Sequence, residues 1–480
     1  MSGTEHCWCG RLAALVVVGL LFLLPRVNAQ SSAIPIEHFI YIIQENHSFD
    51  NYFGTFPGAN GIPAGTLLPD YPGGPLTRKP FLTHLTSVPH DLTHSWVAGK
   101  IAYDNGAMDG FLWAEWPLGL RYYGQGVPTP APDPNLVRIR PKPRNQARAA
   151  TGAMQEVLSP LGFADDEDDD APQVEEQNEA ILASEPYRSG PPNVNERPSW
   201  VIYSISYLDS STIPNYWEYA RKFTLCDRFF TSLAGPSAPN HLYAVAAQSG
   251  GLVTDFGHGN IADFSFPSII ELLRQSSVTW KYYSGSGSPY EVGIWKPMPG
   301  FKKFANDSTL NSHLGRTEKF YEDLKNGTLP QVCWLVPPGA LSEHPPRDVQ
   351  KGMWYVTELI NAVMRSRYWK NCTIIVTWDD SGGFYDHVPP VQTDEYGFGI
   401  RVPALVISPY SNRGVVHTHY DLTSPLKLIE TKFGLPPLTA RDAMSNTMLE
   451  CFDFTQTPLP PVIITRETQL DFSDMVTTKP

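Results

Sequence analysis

A chain of 480 residues, 12 % of them aromatic, has room for a large core and the bulk to fill it; large α/β enzymes of this length often remain one domain. Its formal net charge of −13 excludes a general nucleic-acid binder, because there is no basic surplus to neutralise phosphates. Part of that charge is local, in the solvated block Asp165–Asp170 with Glu175 and Glu176.

In chain order, Arg11, the apolar run Leu12–Leu24, Pro25 and Val27-Asn28-Ala29 read as a secretory signal over residues 1–29. The run is shorter than the roughly 20 apolar residues of a membrane span, so a signal anchor is the lesser alternative. The expected mature chain, from about Gln30, is exported and soluble. Phe39 to Ile43 is an apolar run without alternation, the mark of a strand buried on both faces, and it leads into Glu45-Asn46. Residues 128–199 are rich in Pro and charge and are expected to form a disordered insertion.

Strand-like sequence resumes at Trp200–Ser204. Helices are expected over 213–222, 240–248, 268–274 and 354–368, and strands over 223–230, 278–283, 332–336, 373–378 and 404–408. This alternation predicts an α/β fold: a doubly wound, mostly parallel sheet with helices on both faces, in one domain over 30–450 with a C-terminal tail over 451–480. Cys226, Cys333, Cys372 and Cys451 lie beyond the signal; an even count in an exported chain permits two disulfides, in any of three pairings. Asn306, Asn326 and Asn371 sit in glycosylation sequons, which makes a glycoprotein the expectation; Asn46 also matches but is expected to stay bare.

The second segment of the type seen at 38–46 is Thr373–Trp378, which runs into Asp379-Asp380 and Gly382-Gly383. Glu45, Asn46, Asp379 and Asp380 are hard oxygen donors at strand ends, where α/β sheets place their ligands, and together they suit a divalent metal cation. Ser237, in Gly235-Pro-Ser-Ala-Pro-Asn240, stands at a helix N-terminus, where free N–H groups favour phosphate oxygens. No Gly-x-Ser-x-Gly, His-Glu-x-x-His or Cys-x-x-Cys pattern competes with it. His90, His344 and His387 lie in loops where imidazole could bind phosphate or protonate a leaving group.

These pieces, with Pro89–Trp96, Met108–Phe111, Ile213–Trp217, Asp323–Pro330 and Asp379–Val388, resemble the phosphoesterase family of bacterial phosphatidylcholine-type phospholipases C and secreted acid phosphatases. The resemblance implies an alkaline-phosphatase-like fold with Glu45, Asn46, Asp379 and Asp380 on the metal. It further implies that Ser237 attacks phosphorus and that His90, His344 and His387 meet phosphate or leaving group. The chain ends soon after these motifs, without the added β-rich modules of the longer phospholipases, which favours an acid-phosphatase-like hydrolase forming a phosphoserine intermediate. The alternatives are a phospholipase C that touches membrane surfaces transiently, with Trp113–Tyr123 as its approach surface, and a catalytically silent secreted binding protein. The expected substrate is therefore a phosphomonoester or a phospholipid.

Overall fold

In a computed structural model, residues 34–116, 127–142, 193, 195, 197–256, 260–285, 287–304 and 307–466 are described. The expected signal, Asn306 and most of the acidic insertion lie outside them. No described helix is long and apolar enough to cross a membrane.

The core is an eight-stranded sheet. Its strands are β1 (His38–Gln44), β2 (Thr224–Cys226), β3 (Trp280–Ser284), β4 (Leu314–Arg316), β5 (Val332–Val336), β6 (Cys372–Trp378), β7 (Ala404–Ile407) and β8 (Gly414–Val416). The spatial order is β4-β3-β5-β1-β6-β7-β2-β8. Only β7 runs antiparallel to its neighbours. The central position of β1 explains its unbroken apolar run: Phe39 to Ile43 are at most 2 % exposed. Each such side chain contributes about 1.5–3 kcal/mol on burial.

Both faces are covered. Trp334 on β5 donates its indole N–H to Ala244 O on one side, where Ser237–Ala246 packs with Ile269–Gln275 and Ser424–Phe433. Trp378 on β6 meets Tyr216 on the other side, where Pro214–Lys222 packs with Val349–Arg365. We label the helices used below α1 (Phe49–Phe53), α2 (Pro214–Lys222), α3 (Ser237–Ala246) and α4 (Val349–Arg365). The doubly wound α/β expectation holds.

Several local expectations change. Residues 128–142 are structured: Val137–Pro141 pairs antiparallel with Asn260–Phe264, Val137 is buried, and Arg140 forms a two-pronged ion pair with Asp263. The alternation Val-Arg-Ile-Arg is a strand period that the surrounding prolines and charges obscured. Ser199–Ile205 is a 3₁₀ helix rather than a strand. The stretch 223–230 breaks into β2 and a separate pair, Phe229–Phe230. Chain beyond 450 packs inward, with Cys451 and Ile464 buried. The expected disulfides are not formed: all four described cysteines are buried and free. Cys333 and Cys372 lie on β5 and β6, which β1 separates, while the Cys226 and Cys451 sulfurs stand 3.6 Å apart. Trp113 and Trp116 are core residues, not an exposed approach surface.

Candidate active site

β1 and β6 run parallel with Gln44 opposite Trp378, so Glu45 and Asp379 leave the sheet side by side. Asp379 N–H donates to Gln44 O at 3.0 Å, and Glu45 N–H donates to Ser342 O at 3.0 Å beyond the end of β5. Asn46 then takes a left-handed φ of 58°. Gly382, also at φ 58°, lies against it, and a Cβ there would stand 2.3 Å from Asn46 O. Only glycine permits that approach.

α3 supplies the third wall. Ser237, its first residue, donates from Oγ to Glu45 Oε2 at 3.0 Å and lies 3.4 Å from Asp380 Oδ2. His241 follows one turn later and therefore shares that face. Its Nε2 is 3.0 Å from Glu45 Oε1 and 3.7 Å from Asp379 Oδ2. Glu45, Asn46, Ser237, His241, Asp379 and Asp380 are all at most 2 % exposed.

Burial, then the charges of Asp379 and Asp380, holds the Glu45 carboxyl well above the usual range. Burial and Asp379 raise Asp380 in the same way. Burial pushes His241 down to about 4, which keeps its imidazole neutral. Asp379 Oδ2 makes no hydrogen bond. Among the described residues no lysine or arginine forms an ion pair with Glu45, Asp379 or Asp380. Three buried carboxylates so arranged repel one another, and a divalent cation relieves that repulsion.

The Asn46 amide lies between carboxylates and imidazoles. One end lies 3.1 Å from Glu45 Oε2 and 3.0 Å from Asp379 Oδ1; the other lies 3.0 Å from His94 Nε2 and 2.9 Å from His344 Nε2. The imidazole Nδ1 atoms of His94 and His344 are each 2.7 Å from a backbone carbonyl, of Leu92 and Pro345. A neutral ring then carries its proton on Nδ1 and leaves Nε2 as an acceptor. Burial drives His344 down to about 3, so it is neutral. For His344 that places the amide nitrogen on the histidine side, with Asn46 Oδ1 turned toward the two carboxylates, where it could join them on a cation; the reverse orientation lets the amide donate to both carboxylates. Glu45, Asp379 and His241 form a group that could hold a divalent cation, and Asn46 and Asp380 place further oxygens beside it.

His241 was not singled out from sequence, and His94 entered only as the end of the His90–His94 segment. His241 had a usable signal, its place four residues after Ser237 on one helix. His94 stands four residues after His90, and the structure puts His94 rather than His90 on Asn46. His90 instead stacks on Trp200 at 4.2 Å, its Nδ1 on Asp91 O. His387 is also elsewhere: Nδ1 pairs with Asp50 at 2.6 Å and Nε2 with Asn60 at 3.3 Å. Its neighbour Asp386 binds Arg401, a fully buried guanidinium that also holds Asp50 and the carbonyls of Asn60 and Asp227. This hub ties α1, which follows Asn46, to the loop that follows Asp380. Asn46 is fully buried, which closes its sequon to a glycan.

Beneath the cage, Glu343 adopts a left-handed φ of 74° and accepts from Gln44, Tyr52, Tyr216 and Trp378. Burial raises its carboxyl to about 7 against those four donors.

A family model described as "Phosphoesterase family" matches residues 36–128 and 174–436. The chain belongs to the Phosphoesterase family. "Phospholipase C B" of Mycobacterium tuberculosis is 27 % identical over 495 residues, covering 88 % of this chain and 79 % of that protein. "Non-specific phospholipase C3" of Arabidopsis thaliana is 29 % identical over 272 residues, covering 49 % of this chain and 50 % of that one. A solved structure of a protein in the alkaline phosphatase superfamily from Vibrio parahaemolyticus covers 49 % of this chain and 63 % of that one, at 15 % identity and a TM-score of 0.33. This member of the Phosphoesterase family is a hydrolase acting on phosphoester bonds.

Proposed function

We propose that this hydrolase is metal-dependent, that Ser237 is its nucleophile, and that it cleaves the glycerol–phosphate ester of phospholipids as a phospholipase C. The observation that carries the reading is Ser237 Oγ, 3.0 Å from Glu45 Oε2 and inside the buried carboxylate cage. Glu45, Asn46, Asp379 and Asp380 would hold the cation, with His241 beside them; bound there, it supplies Lewis-acid stabilisation of developing negative charge. Ser237 Oγ attacks phosphorus, and its proton leaves along its hydrogen bonds to the cage carboxylates. The P–O bond to the diacylglycerol oxygen breaks, that alcohol takes up a proton, and water then cleaves the serine ester of the phosphorylated headgroup. His94 and His344 line the cage opposite the carboxylates and are the imidazoles placed to exchange protons there.

The substrate class comes from the relatives, which are named phospholipases C. An acid-phosphatase-like enzyme would share this machinery and differ in the charge of its substrate. The leader-like residues 1–29 support export. The test is a panel of a phosphomonoester, a phosphodiester and phosphatidylcholine, each with and without chelator. The reading predicts phosphatidylcholine cleavage that chelation abolishes and added divalent cation restores. Metal-loaded protein that cleaves none of the three is a silent binding protein, and the proposal falls.

A further inference from the structure

The N-terminus of α3 is poorer in donors than a helix start of its length should be. A helix leaves the amides of about its first four residues unpaired. Here those residues are Pro236, Ser237, Ala238 and Pro239, and proline has no N–H. Of the two amides that remain, that of Ala238 already donates to Asp255 Oδ1 at 2.7 Å. The expectation of an open, phosphate-binding helix end beside the nucleophile is thus corrected: a carboxylate occupies one of the two donors. Asp255 thus holds the amide next to Ser237, whose Oγ is itself on the cage carboxylates Glu45 and Asp380.

We propose that Asp255 is a specificity-determining residue that sets the charge preference of this site. Its carboxylate, on the amide next to Ser237, disfavours phosphate groups carrying two negative charges and so selects singly charged phosphodiesters over phosphomonoesters and inorganic phosphate. A diester carries one charge fewer and requires less of the blocked amide. This inference rests on the phosphoester-hydrolase reading and deepens it by naming the charge class of the substrate.

The experiment compares the parent with Asp255→Asn and Asp255→Glu in the metal-loaded full chain. It measures kcat/KM for p-nitrophenyl phosphate and p-nitrophenylphosphorylcholine at about pH 8, above the second phosphate pKa of about 6. Binding of inorganic phosphate is titrated in the same proteins by calorimetry, a readout independent of turnover. Asn keeps an oxygen acceptor for the Ala238 amide and removes only the charge; Glu keeps the charge. In Asp255→Asn the monoester-to-diester ratio should rise about tenfold or more, and phosphate should bind tighter by a similar factor, about 1.4 kcal/mol. Asp255→Glu should stay near the parent. An unchanged ratio and unchanged phosphate affinity in Asp255→Asn overturn the proposal while leaving the hydrolase reading standing. A metal-loaded parent that cleaves neither ester overturns both.

Discussion

Arg401 should be among the most costly residues in the chain to replace. Its guanidinium is fully buried and donates from Nε to Asp386 at 3.0 and 3.1 Å and from Nη2 to Asp50 at 2.9 Å. Nη1 donates to Asn60 O at 2.8 Å and to Asp227 O at 2.6 Å, and the group lies 4.2 Å over the Phe49 ring. Arg401→Met keeps much of the packing but leaves two carboxylates, at most 1 % exposed, without their counter-charge. Removing one partner of a buried pair costs about 3–5 kcal/mol, and the two orphaned carbonyls argue for the upper end. With a urea slope of about 3 kcal/mol/M, the midpoint of equilibrium denaturation should fall by about 1 M or more. Adding Asp50→Asn and Asp386→Asn to Arg401→Met should recover part of the loss, because the charges left unpaired are then gone. A single Arg401→Met variant within about 1 kcal/mol of the parent would refute the claim that this hub clamps the two halves of the site together.

The other expectations are simpler to state. Glu45→Ala or Asp379→Ala should remove most bound divalent metal, measured by elemental analysis, because each deletes a carboxylate from a cage built on three. His94→Ala should lower turnover by about 10²-fold or more, whereas His90→Ala should stay within a few-fold, because His94 reaches Asn46 and His90 stacks on Trp200 instead. Burial lowers His47 to about 4 from 6.5, so the unfolded chain takes up that proton first. The stability held by neutral His47 is therefore complete above about pH 6.5 and is lost as pH falls toward 4, by about 2 kcal/mol at pH 5. Urea midpoints between about pH 7 and pH 5 should flatten in His47→Gln.

The framework of the site was legible because its signals are local. An apolar run that stops at Glu45-Asn46 and another that stops at Asp379-Asp380 announce buried parallel strands, and neighbours in one sheet must end together. Ser237 could be placed because Gly-Pro-Ser-Ala-Pro marks a helix start. What local sequence did not carry was the distance between loops. His90 and His94 are equivalent as letters four apart, and only the packing of Trp200 on one and Asn46 on the other separates them. His387 follows the strand-end carboxylates closely, yet Arg401 draws it to Asp50 and away from the cage. Residues 128–142 were misread because strand alternation is weak beside a compositional bias toward Pro and charge. Asp255 has no sequence signature at all; its role depends on a single backbone amide.

The central claim is that Ser237 carries the phosphoryl group. Metal-loaded parent protein turning over a headgroup-labelled or phosphorus-labelled phospholipid is quenched in acid, digested and analysed by mass spectrometry for serine esterified to the phosphorylated headgroup. The account predicts the phosphorylated headgroup on Ser237 in the parent, carrying either label. It also predicts turnover lower by orders of magnitude in Ser237→Ala, with metal content and melting temperature preserved. Near-normal turnover in Ser237→Ala, with no covalent adduct on Ser237 in the parent, would reduce Ser237 to the first residue of a helix and make direct attack by water the mechanism.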